Sequence, residues 1–176
     1  AGGGDGKIIF WNVETGDTIR VIKAHREPIF DIHFSHDETS VASVSWDATF
    51  KMFDVKTGER INYTDFQNNS VYNFQFHPSD LYVFIASLDN ALKLLELDTH
   101  KPVREFIGHS DIISSMQVSP DQKQLLSTSW DGSIRLWDIA TGLMTKKFIG
   151  HRGPVHTAIF SRDGTLIYSA GADRTI

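Results

Sequence analysis

Short stretches in which apolar and polar residues alternate recur along the chain. The clearest are KIIFWNV, TFKMFDV and SIRLWDI, at residues 7–13, 49–55 and 133–139. Alternation with a period of two is typical of β-strands, and turn signals such as Asp-Gly and Thr-Gly stand between the stretches. No segment keeps a helical period. The pattern therefore predicts an all-β chain of short antiparallel strands joined by tight turns.

The alternating stretches belong to a repeat of 42 residues. An aspartate column keeps this step along the whole chain: Asp5, Asp47, Asp89, Asp131 and Asp173. A second column reads His25, Gln67, His109 and His151, and a third reads Trp11, Phe53, Leu95 and Trp137. Columns that stay in register without an insertion indicate tandem copies of one structural unit. Each copy has room for about four strands.

The best copy is GHSDIISSMQVSPDQKQLLSTSWDGSIRLWDIATG, residues 108–142, and it closely resembles a WD repeat. It has the Gly-His opening, the Ser-Pro-Asp turn, the Asp-Gly hairpin and the closing Trp-Asp pair. The resemblance covers the whole chain and implies a β-propeller, whose four-stranded antiparallel sheets are called blades. A kelch-type propeller is disfavoured, because its period is about 50 residues.

The resemblance divides the chain into three complete blades and two partial ones in an incomplete ring. We expect one partial propeller domain over residues 1–176, with a partial blade at 1–23, blades at 24–65, 66–107 and 108–149, and a partial blade at 150–176. The blade at 66–107 is degenerate, and the blade at 108–149 matches best. Propellers of this family most often have seven blades, which takes roughly 294 residues at this period. The chain is therefore expected to be a segment of a larger propeller, with apolar end faces that associate when uncovered.

The resemblance also implies a hydrogen-bonded chain of four side chains inside each blade. In the best copy these are His109, Ser127, Asp131 and Trp137. The partial sets in other copies are His25, Ser43 and Asp47, then His151, Ser169 and Asp173. Such a network fixes strand register, because an unpaired buried polar group costs about 1–3 kcal/mol. The degenerate copy has Gln67, Ile85 and Leu95 at these positions, so apolar packing must hold it.

A His, Ser and Asp in one neighbourhood could also indicate a hydrolase triad. However, the same trio recurs every 42 residues, which a single active site would not do. Histidines at equivalent positions of different blades lie too far apart to share a metal ion, and the chain has no cysteine for a thiolate zinc site. The sequence therefore predicts no catalytic residues, no metal and no cofactor.

One end of the predicted blades collects aromatic side chains. In propellers that the chain resembles, peptides dock on the face formed by the residue before the turn aspartate and by residues just after the histidine. The six residues at such positions are Phe30, Trp46, Tyr72, Leu88, Trp130 and His156. Exposed aromatic residues on a rigid support are typical of binding sites. The alternative is that these rings pack against neighbouring turns as a hydrophobic lid. His33 and His36 are interpreted as solvated turn residues.

Charge and composition narrow the classes of partner. The net charge is −5 and the pI is near 5.9, so no basic field favours nucleic acid, and no apolar run approaches the roughly 18 residues of a membrane span. The N-terminus does not resemble a signal peptide, and a chain without cysteine fits an intracellular protein of the cytoplasm or the nucleus.

The sequence thus predicts a noncatalytic protein–protein interaction scaffold in an intracellular multiprotein complex. Its partners would be a peptide or protein domain on the aromatic positions, together with the rest of the propeller in the parent chain. The alternatives are an RNA-binding or ribonucleoprotein-assembly propeller, since aromatic faces can stack bases, and the noncatalytic propeller part of a larger multidomain protein.

Overall fold

A computed structural model describes residues 1–67 and 70–176, and this part of the chain forms sixteen strands and no helix. It therefore contains no helix able to cross a membrane. The strands are β1 (Lys7–Trp11), β2 (Thr18–Lys23), β3 (Ile29–Phe34), β4 (Ser40–Ser45), β5 (Thr49–Asp54), β6 (Arg60–Asp65), β7 (Val71–Phe76), β8 (Tyr82–Ser87), β9 (Leu92–Glu96), β10 (Pro102–Phe106), β11 (Ile113–Val118), β12 (Gln124–Ser129), β13 (Ser133–Asp138), β14 (Met144–Ile149), β15 (Val155–Phe160) and β16 (Ile167–Gly171).

The strands form antiparallel sheets in chain order. Three sheets have four strands, β3–β6, β7–β10 and β11–β14, while β1–β2 and β15–β16 form sheets of two. By the repeat, β1 and β2 stand where a blade has its third and fourth strands, and β15 and β16 where it has its first and second. The sheets do not close into a ring within residues 1–67 and 70–176. The predicted fold class, a segment of a propeller with complete and partial blades, is confirmed.

The first strands of successive blades lie next to one another. β3 contacts β7, β7 contacts β11, and β11 contacts β15, whereas β6, β10 and β14 form the outer edges of their sheets. All four first strands begin at the same end of the sheets, because each repeat enters its blade in the same way. Residues just before or after these starts therefore lie on one face of the propeller.

The apolar core lies between the blades. Phe50 of β5 packs against Phe74 of β7 with ring centroids 5.4 Å apart, and Phe84 of β8 belongs to one buried cluster with Trp137 of β13. Both clusters join residues of neighbouring sheets, since each sheet is apolar on both of its faces. A blade in this arrangement is stabilised only when its neighbours cover it.

A further set of contacts ties three outer strands, β2, β6 and β10, to the next blade. The side chains of Arg20, Asn62 and Arg104 donate to the carbonyl oxygens of Lys56, Leu97 and Ile139, at 2.6, 2.8 and 2.7 Å. The three donors keep the step of 42 residues, so this contact belongs to the repeat itself. It adds a directional bond to the apolar packing between blades.

The hairpin turn of one blade also touches the entry loop of the next. Gly6 adopts a φ of 71°, and a methyl group on it would collide with the backbone of His25. Gly132, with a φ of 80°, is the equivalent residue three repeats later, and a methyl group there would lie 3.4 Å from the carbonyl oxygen of Gly153. Glycine suits both positions because it tolerates the left-handed backbone, and at Gly6 it also allows the close approach of the neighbouring loop.

The two outermost sheets leave large apolar side chains exposed. On β1 and β2 these are Trp11, Ile19 and Val21, and at the other end they are Ile159, Leu166 and Tyr168, all between 48% and 65% exposed. In the four-stranded sheets the residues equivalent to Trp11 and to Tyr168 are buried, namely Phe53, Leu95 and Trp137 for the former and Ala42, Phe84 and Leu126 for the latter. Exposed apolar area of this kind is typical of an interaction surface.

Candidate partner-binding face

The four side chains of the best repeat form a continuous hydrogen-bonded chain. The Trp137 indole N–H donates to Ser127 Oγ at 2.7 Å, Ser127 Oγ lies 2.8 Å from His109 Nε2, and His109 Nδ1 lies 2.9 Å from Asp131 Oδ2. A neutral His109 protonated on Nδ1 satisfies every group, since Nδ1–H then donates to the carboxylate and Nε2 accepts from Ser127. Ser127 and Trp137 are fully buried.

Two other copies form the same contacts as far as their residues allow. His25 Nδ1 lies 3.0 Å from Asp47 Oδ2 and His25 Nε2 lies 2.8 Å from Ser43 Oγ, while Phe53 at the Trp137 position has no N–H to donate. In the last blade His151 contacts Asp173 at 3.0 Å and Ser169 at 2.9 Å. These trios place the first strand, second strand and hairpin turn of a blade in fixed register.

The positions of the aromatic residues depend on a β-bulge at the start of each first strand. The pairing shifts between Ile29 and Asp31, so Phe30 is an extra residue without a cross-strand partner. The same shift occurs around Tyr72, Ser114 and His156. A bulge redirects the side chain of its extra residue. Each blade therefore presents one such residue beside the hairpin turn that carries Trp46, Leu88 or Trp130.

The structure brings three of the six predicted residues into one aromatic cluster, Phe30, Trp46 and Tyr72. The ring centroids of Phe30 and Trp46 are 5.6 Å apart, and those of Phe30 and Tyr72 are 4.6 Å apart. Trp46 is 58% exposed and Phe30 is 37% exposed, while Tyr72 is partly buried. Rings in contact that keep this exposure form a platform that spans two blades.

The other three predicted residues lie at the same positions in the following blades. Leu88 and Trp130 are 40% and 46% exposed, and His156 is exposed as well. Across residues 1–67 and 70–176, none of the ring pairs in contact includes Trp130 or His156. The six positions, called the aromatic face from here on, thus comprise one contiguous cluster and three separate side chains.

Comparison with known families identifies the repeat. The family described as WD domain, G-beta repeat matches residues 16–54, 100–138 and 142–176, more than half of the chain. The chain belongs to the WD-repeat family. No curated protein matches the chain as a whole. WD-repeat propellers generally serve as noncatalytic scaffolds for protein–protein interaction.

The WD-repeat match leaves out residues 55–99, which contain most of the degenerate blade. Ile85 and Leu95 take the Ser127 and Trp137 positions there, and both are buried in one cluster with Phe74. Phe74 also contacts Phe50 of the preceding blade. Apolar packing thus replaces the polar chain in this WD repeat. Asp89 keeps its turn, accepting from Ser87 Oγ at 2.6 Å and from the Ala91 N–H at 3.1 Å.

The electrostatics of the WD-repeat network follow from its burial. Burial lowers the pKa of His109, and this effect exceeds the opposing influence of the Asp131 carboxylate. Burial raises the pKa of Asp131, but hydrogen bonds from Ser133 and His109 outweigh it and hold that pKa well below the ordinary range of a carboxyl. The pair is therefore a neutral imidazole beside an ionised carboxylate at neutral pH.

This protonation state predicts that stability decreases on acidification. The pKa values of His25 and His109 are lower in the folded protein than the ordinary 6.5, so the unfolded chain binds more protons as the pH falls below that value. The urea midpoint should therefore decrease between about pH 7 and about pH 5. A urea midpoint that stays constant or rises on acidification would contradict this prediction. His109→Gln should flatten this dependence, although it destabilises the blade.

The serine of the best WD-repeat trio is closed to a substrate, whereas Ser169 of the last trio is partly exposed. The Ser127 hydroxyl is fully buried and its oxygen already accepts the Trp137 N–H, so a substrate cannot reach it. Within the described parts of the chain, no group of three or more His, Cys, Asp or Glu side chains is arranged to hold a metal ion.

Two histidines differ from the sequence interpretation. His33 lies on β3, not in a turn, and its ring contacts Phe74 with centroids 5.1 Å apart. His36 does lie in a turn, but its Nδ1 is 2.8 Å from Asp80 Oδ1 and its backbone N–H donates to Asp80 Oδ2 at 2.8 Å. Both residues therefore contribute to contacts between blades. The interpretation as solvated turn residues is wrong for His33, whereas His36 is an exposed turn residue as that interpretation expects.

Sequence reasoning also missed a column of hydroxyl groups beside the turn aspartates. Ser133 Oγ donates to Asp131 at 2.6 Å and Thr175 Oγ1 donates to Asp173 at 2.8 Å, while Thr49 takes the same place beside Asp47. These residues stand two positions after the aspartates of three copies and keep the step of 42. The period alone does not single them out, because Lys7 and Ala91 take the same position in the other two copies.

Proposed function

We propose that this protein is a noncatalytic interaction scaffold that binds a peptide or a partner domain on its aromatic face. The observation that supports this most directly is the exposed cluster of Phe30, Trp46 and Tyr72. The hydrogen bonds and apolar clusters that hold the blades do not involve the exposed surfaces of these rings. A β-bulge and a hydrogen-bonded hairpin hold them in place, so little entropy would be lost when a partner binds.

The composition of the aromatic face and the net charge of the chain favour a protein over RNA as the partner. None of the six residues of the aromatic face is Lys or Arg, and the whole chain carries a net charge of −5. Binding of RNA would need basic residues that contact phosphates and would weaken steeply with salt. Binding by burial of aromatic and aliphatic surface would change little with salt.

The proposed setting is an intracellular multiprotein assembly, in the cytoplasm or the nucleus. The absence of cysteine supports a reducing compartment. The exposed apolar residues of β1–β2 and β15–β16 support further blades of the parent propeller as the neighbours of these two sheets. In this arrangement the aromatic face stays accessible, because it lies at the end of the blades and not between them.

A capture experiment from cell extract tests this function. The double variant Trp46→Ala, Trp130→Ala should lose the proteins that the wild type captures, because each substitution removes a large exposed ring from the face. The matched control is Leu81→Ala, Leu143→Ala, which removes two exposed aliphatic side chains from loops at the opposite end of the blades. This control should capture the same proteins as the wild type.

Thermal unfolding of all three proteins must accompany the capture. Retention of every partner by the tryptophan variant would overturn the proposal. Loss of partners together with a much lower melting temperature would instead show that these rings are packing residues. Repeating the capture with ribonuclease tests the alternative, since an RNA-dependent set of partners would favour a ribonucleoprotein role.

A further inference from the structure

Two basic residues lie beside the aromatic face, at the junction of the last two blades. Arg152 follows His151 in the entry loop of the last blade, and Arg174 follows Asp173 in its hairpin turn. Both side chains are exposed, as are Trp130 on the neighbouring turn and His156 on the bulge. We call these four residues the arginine corner.

Backbone contacts hold the arginine corner together. The Arg152 N–H donates to Asp173 Oδ2 at 2.8 Å, and the Ala172 N–H donates to the Pro154 carbonyl at 2.8 Å, so the entry loop and the hairpin turn of the last blade are fixed side by side. The turn that carries Trp130 lies near the same loop, since a methyl group on Gly132 would be in van der Waals contact with the Gly153 carbonyl oxygen at 3.4 Å. Both arginines and Trp130 therefore start from neighbouring, rigid backbone.

The two guanidinium groups are not used within the fold. In residues 1–67 and 70–176, the side chains of Arg152 and Arg174 make no hydrogen bond and no ion pair. The nearby carboxylates of Asp131 and Asp173 turn inward, with side chains 6% and 11% exposed, and bind His109 and His151. Asp111 lies in the entry loop of the preceding blade, where its carboxylate accepts the Ile112 N–H at 2.7 Å. The arginine corner thus presents positive charge in an otherwise acidic protein.

Trp130 also differs from its counterpart Trp46. The Trp46 ring packs against Phe30 on the bulge of its own blade, whereas the equivalent bulge residue beside Trp130 is Ser114. The Ser114 hydroxyl is bonded to the Val155 carbonyl at 2.5 Å and to Thr128 at 2.9 Å, so it turns toward the neighbouring strands. The ring of Trp130 therefore remains open to a side chain of a partner.

We infer that an acidic segment of the protein partner binds at the arginine corner, with Asp or Glu side chains on Arg152 and Arg174 and an apolar side chain on Trp130. The inference rests on the proposed function, in which a partner segment lies across the aromatic face. It specifies that this segment is acidic and that its acidic residues lie toward the last blade. Arginine favours carboxylates through paired N–H···O bonds, and an exposed ring beside it provides apolar contact. The partner segment thus combines apolar residues over the aromatic cluster with acidic residues toward the last blade.

The repeat provides a matched control in Arg26. This residue follows His25 and stands three repeats before Arg152, and its N–H donates to the turn aspartate Asp47 at 3.2 Å as that of Arg152 donates to Asp173. However, the positions of Gly153, Trp130 and Arg174 are taken there by Glu27, Gly4 and Ala48. Arg26 has the same charge without a second arginine beside it, while Trp46, on the hairpin turn of its own blade, lies next to its entry loop because the Trp46 N–H donates to the Pro28 carbonyl at 3.1 Å.

Selection from a random dodecapeptide phage library tests the inference. The wild-type protein should enrich peptides that combine apolar residues with several Asp or Glu residues. The double variant Arg152→Glu, Arg174→Glu should lose the acidic preference, while Arg26→Glu should keep it. Enriched apolar peptides without acidic residues, or with basic ones, would overturn the inference but leave the proposed function intact. The double variant Trp46→Ala, Trp130→Ala tests the proposed function in the same selection. If this variant enriches every peptide that the wild type enriches, both the inference and the proposed function would be overturned.

Binding of one enriched peptide, labelled and measured by fluorescence anisotropy, gives the size of the effect. Arg152→Glu, Arg174→Glu should weaken it at least about tenfold at low salt, and Arg26→Glu should change it little. Replacing the acidic residues of the peptide by Asn and Gln should reproduce the loss with the wild-type protein and leave the double variant unaffected. If Arg26→Glu weakens peptide binding to the same extent, the effect comes from the overall charge of the protein, and the inference is overturned.

Discussion

Replacing Asp131 by alanine is expected to lower the free energy of unfolding by about 3–5 kcal/mol. The Asp131 carboxylate accepts from His109 Nδ1, from Ser133 Oγ and from the backbone N–H groups of Ser110 and Ser133, at 2.6 to 3.2 Å, and Arg135 lies 3.4 Å away. Alanine would leave all of these donors without their acceptor in a site that is almost fully buried. Urea unfolding monitored by tryptophan fluorescence measures the loss, since Trp137 belongs to the same network.

Asp89→Ala is the matched control, because Asp89 holds the same position in the degenerate blade. Gln67 and Ile85 replace the histidine and serine there, and Asp89 accepts from Ser87 and the Ala91 N–H at a more exposed position. Its loss should cost about 1 kcal/mol or less. If both substitutions lower the free energy of unfolding equally, the aspartate stabilises the hairpin turn and not the buried network.

The period made most of the blade architecture predictable from the sequence. A residue that recurs every 42 positions must occupy equivalent places in every blade, so the aspartate and histidine columns already locate the hairpin turn and the entry loop. The hydroxyl column at Thr49, Ser133 and Thr175 obeys the same rule. It was missed because Ser and Thr are common and carry no signal until the aspartate beside them is known to be buried.

Contacts between blades were beyond the sequence analysis for a physical reason. Asp31 accepts from the Phe74 N–H at 3.2 Å, and Gln117 accepts from the Phe160 N–H at 2.7 Å, each 43 residues along the chain. Both bonds depend on how closely one blade sits against the next, which no pattern within a single repeat defines. His36 and Asp80 illustrate the same limit.

The aromatic face was predictable in composition but not in arrangement. The sequence placed six side chains at one end of the blades, yet it could not indicate that Phe30 and Tyr72 are extra residues of bulges. Every copy of the repeat has a bulge, so all copies keep the same length. The spacing of 42 residues therefore does not reveal the bulges. The bulges redirect Phe30 and Tyr72, and Phe30 then contacts both Tyr72 and Trp46.

Phe30→Ala is expected to weaken binding of the partner by at least about 2 kcal/mol, or roughly thirtyfold. Phe30 lies between Trp46 and Tyr72 and contacts both rings, so its loss removes apolar surface and also frees its two neighbours to move. Central aromatic residues of an interface typically have this effect when truncated. Calorimetric titration of the purified partner against wild type and variant measures it.

Phe34→Ala is the control for this prediction, because Phe34 is a phenylalanine on the same strand, β3, at its opposite end. Phe34 is 54% exposed, more than Phe30. Its replacement by alanine therefore removes at least as much accessible apolar surface from the free protein. Binding should stay close to that of the wild type. If the two variants bind equally weakly, apolar surface in general drives association and the aromatic face has no special part in it. If only Phe30→Ala binds weakly while both unfold at the same temperature, the partner rests on the platform that the bulge and the hairpin turn create.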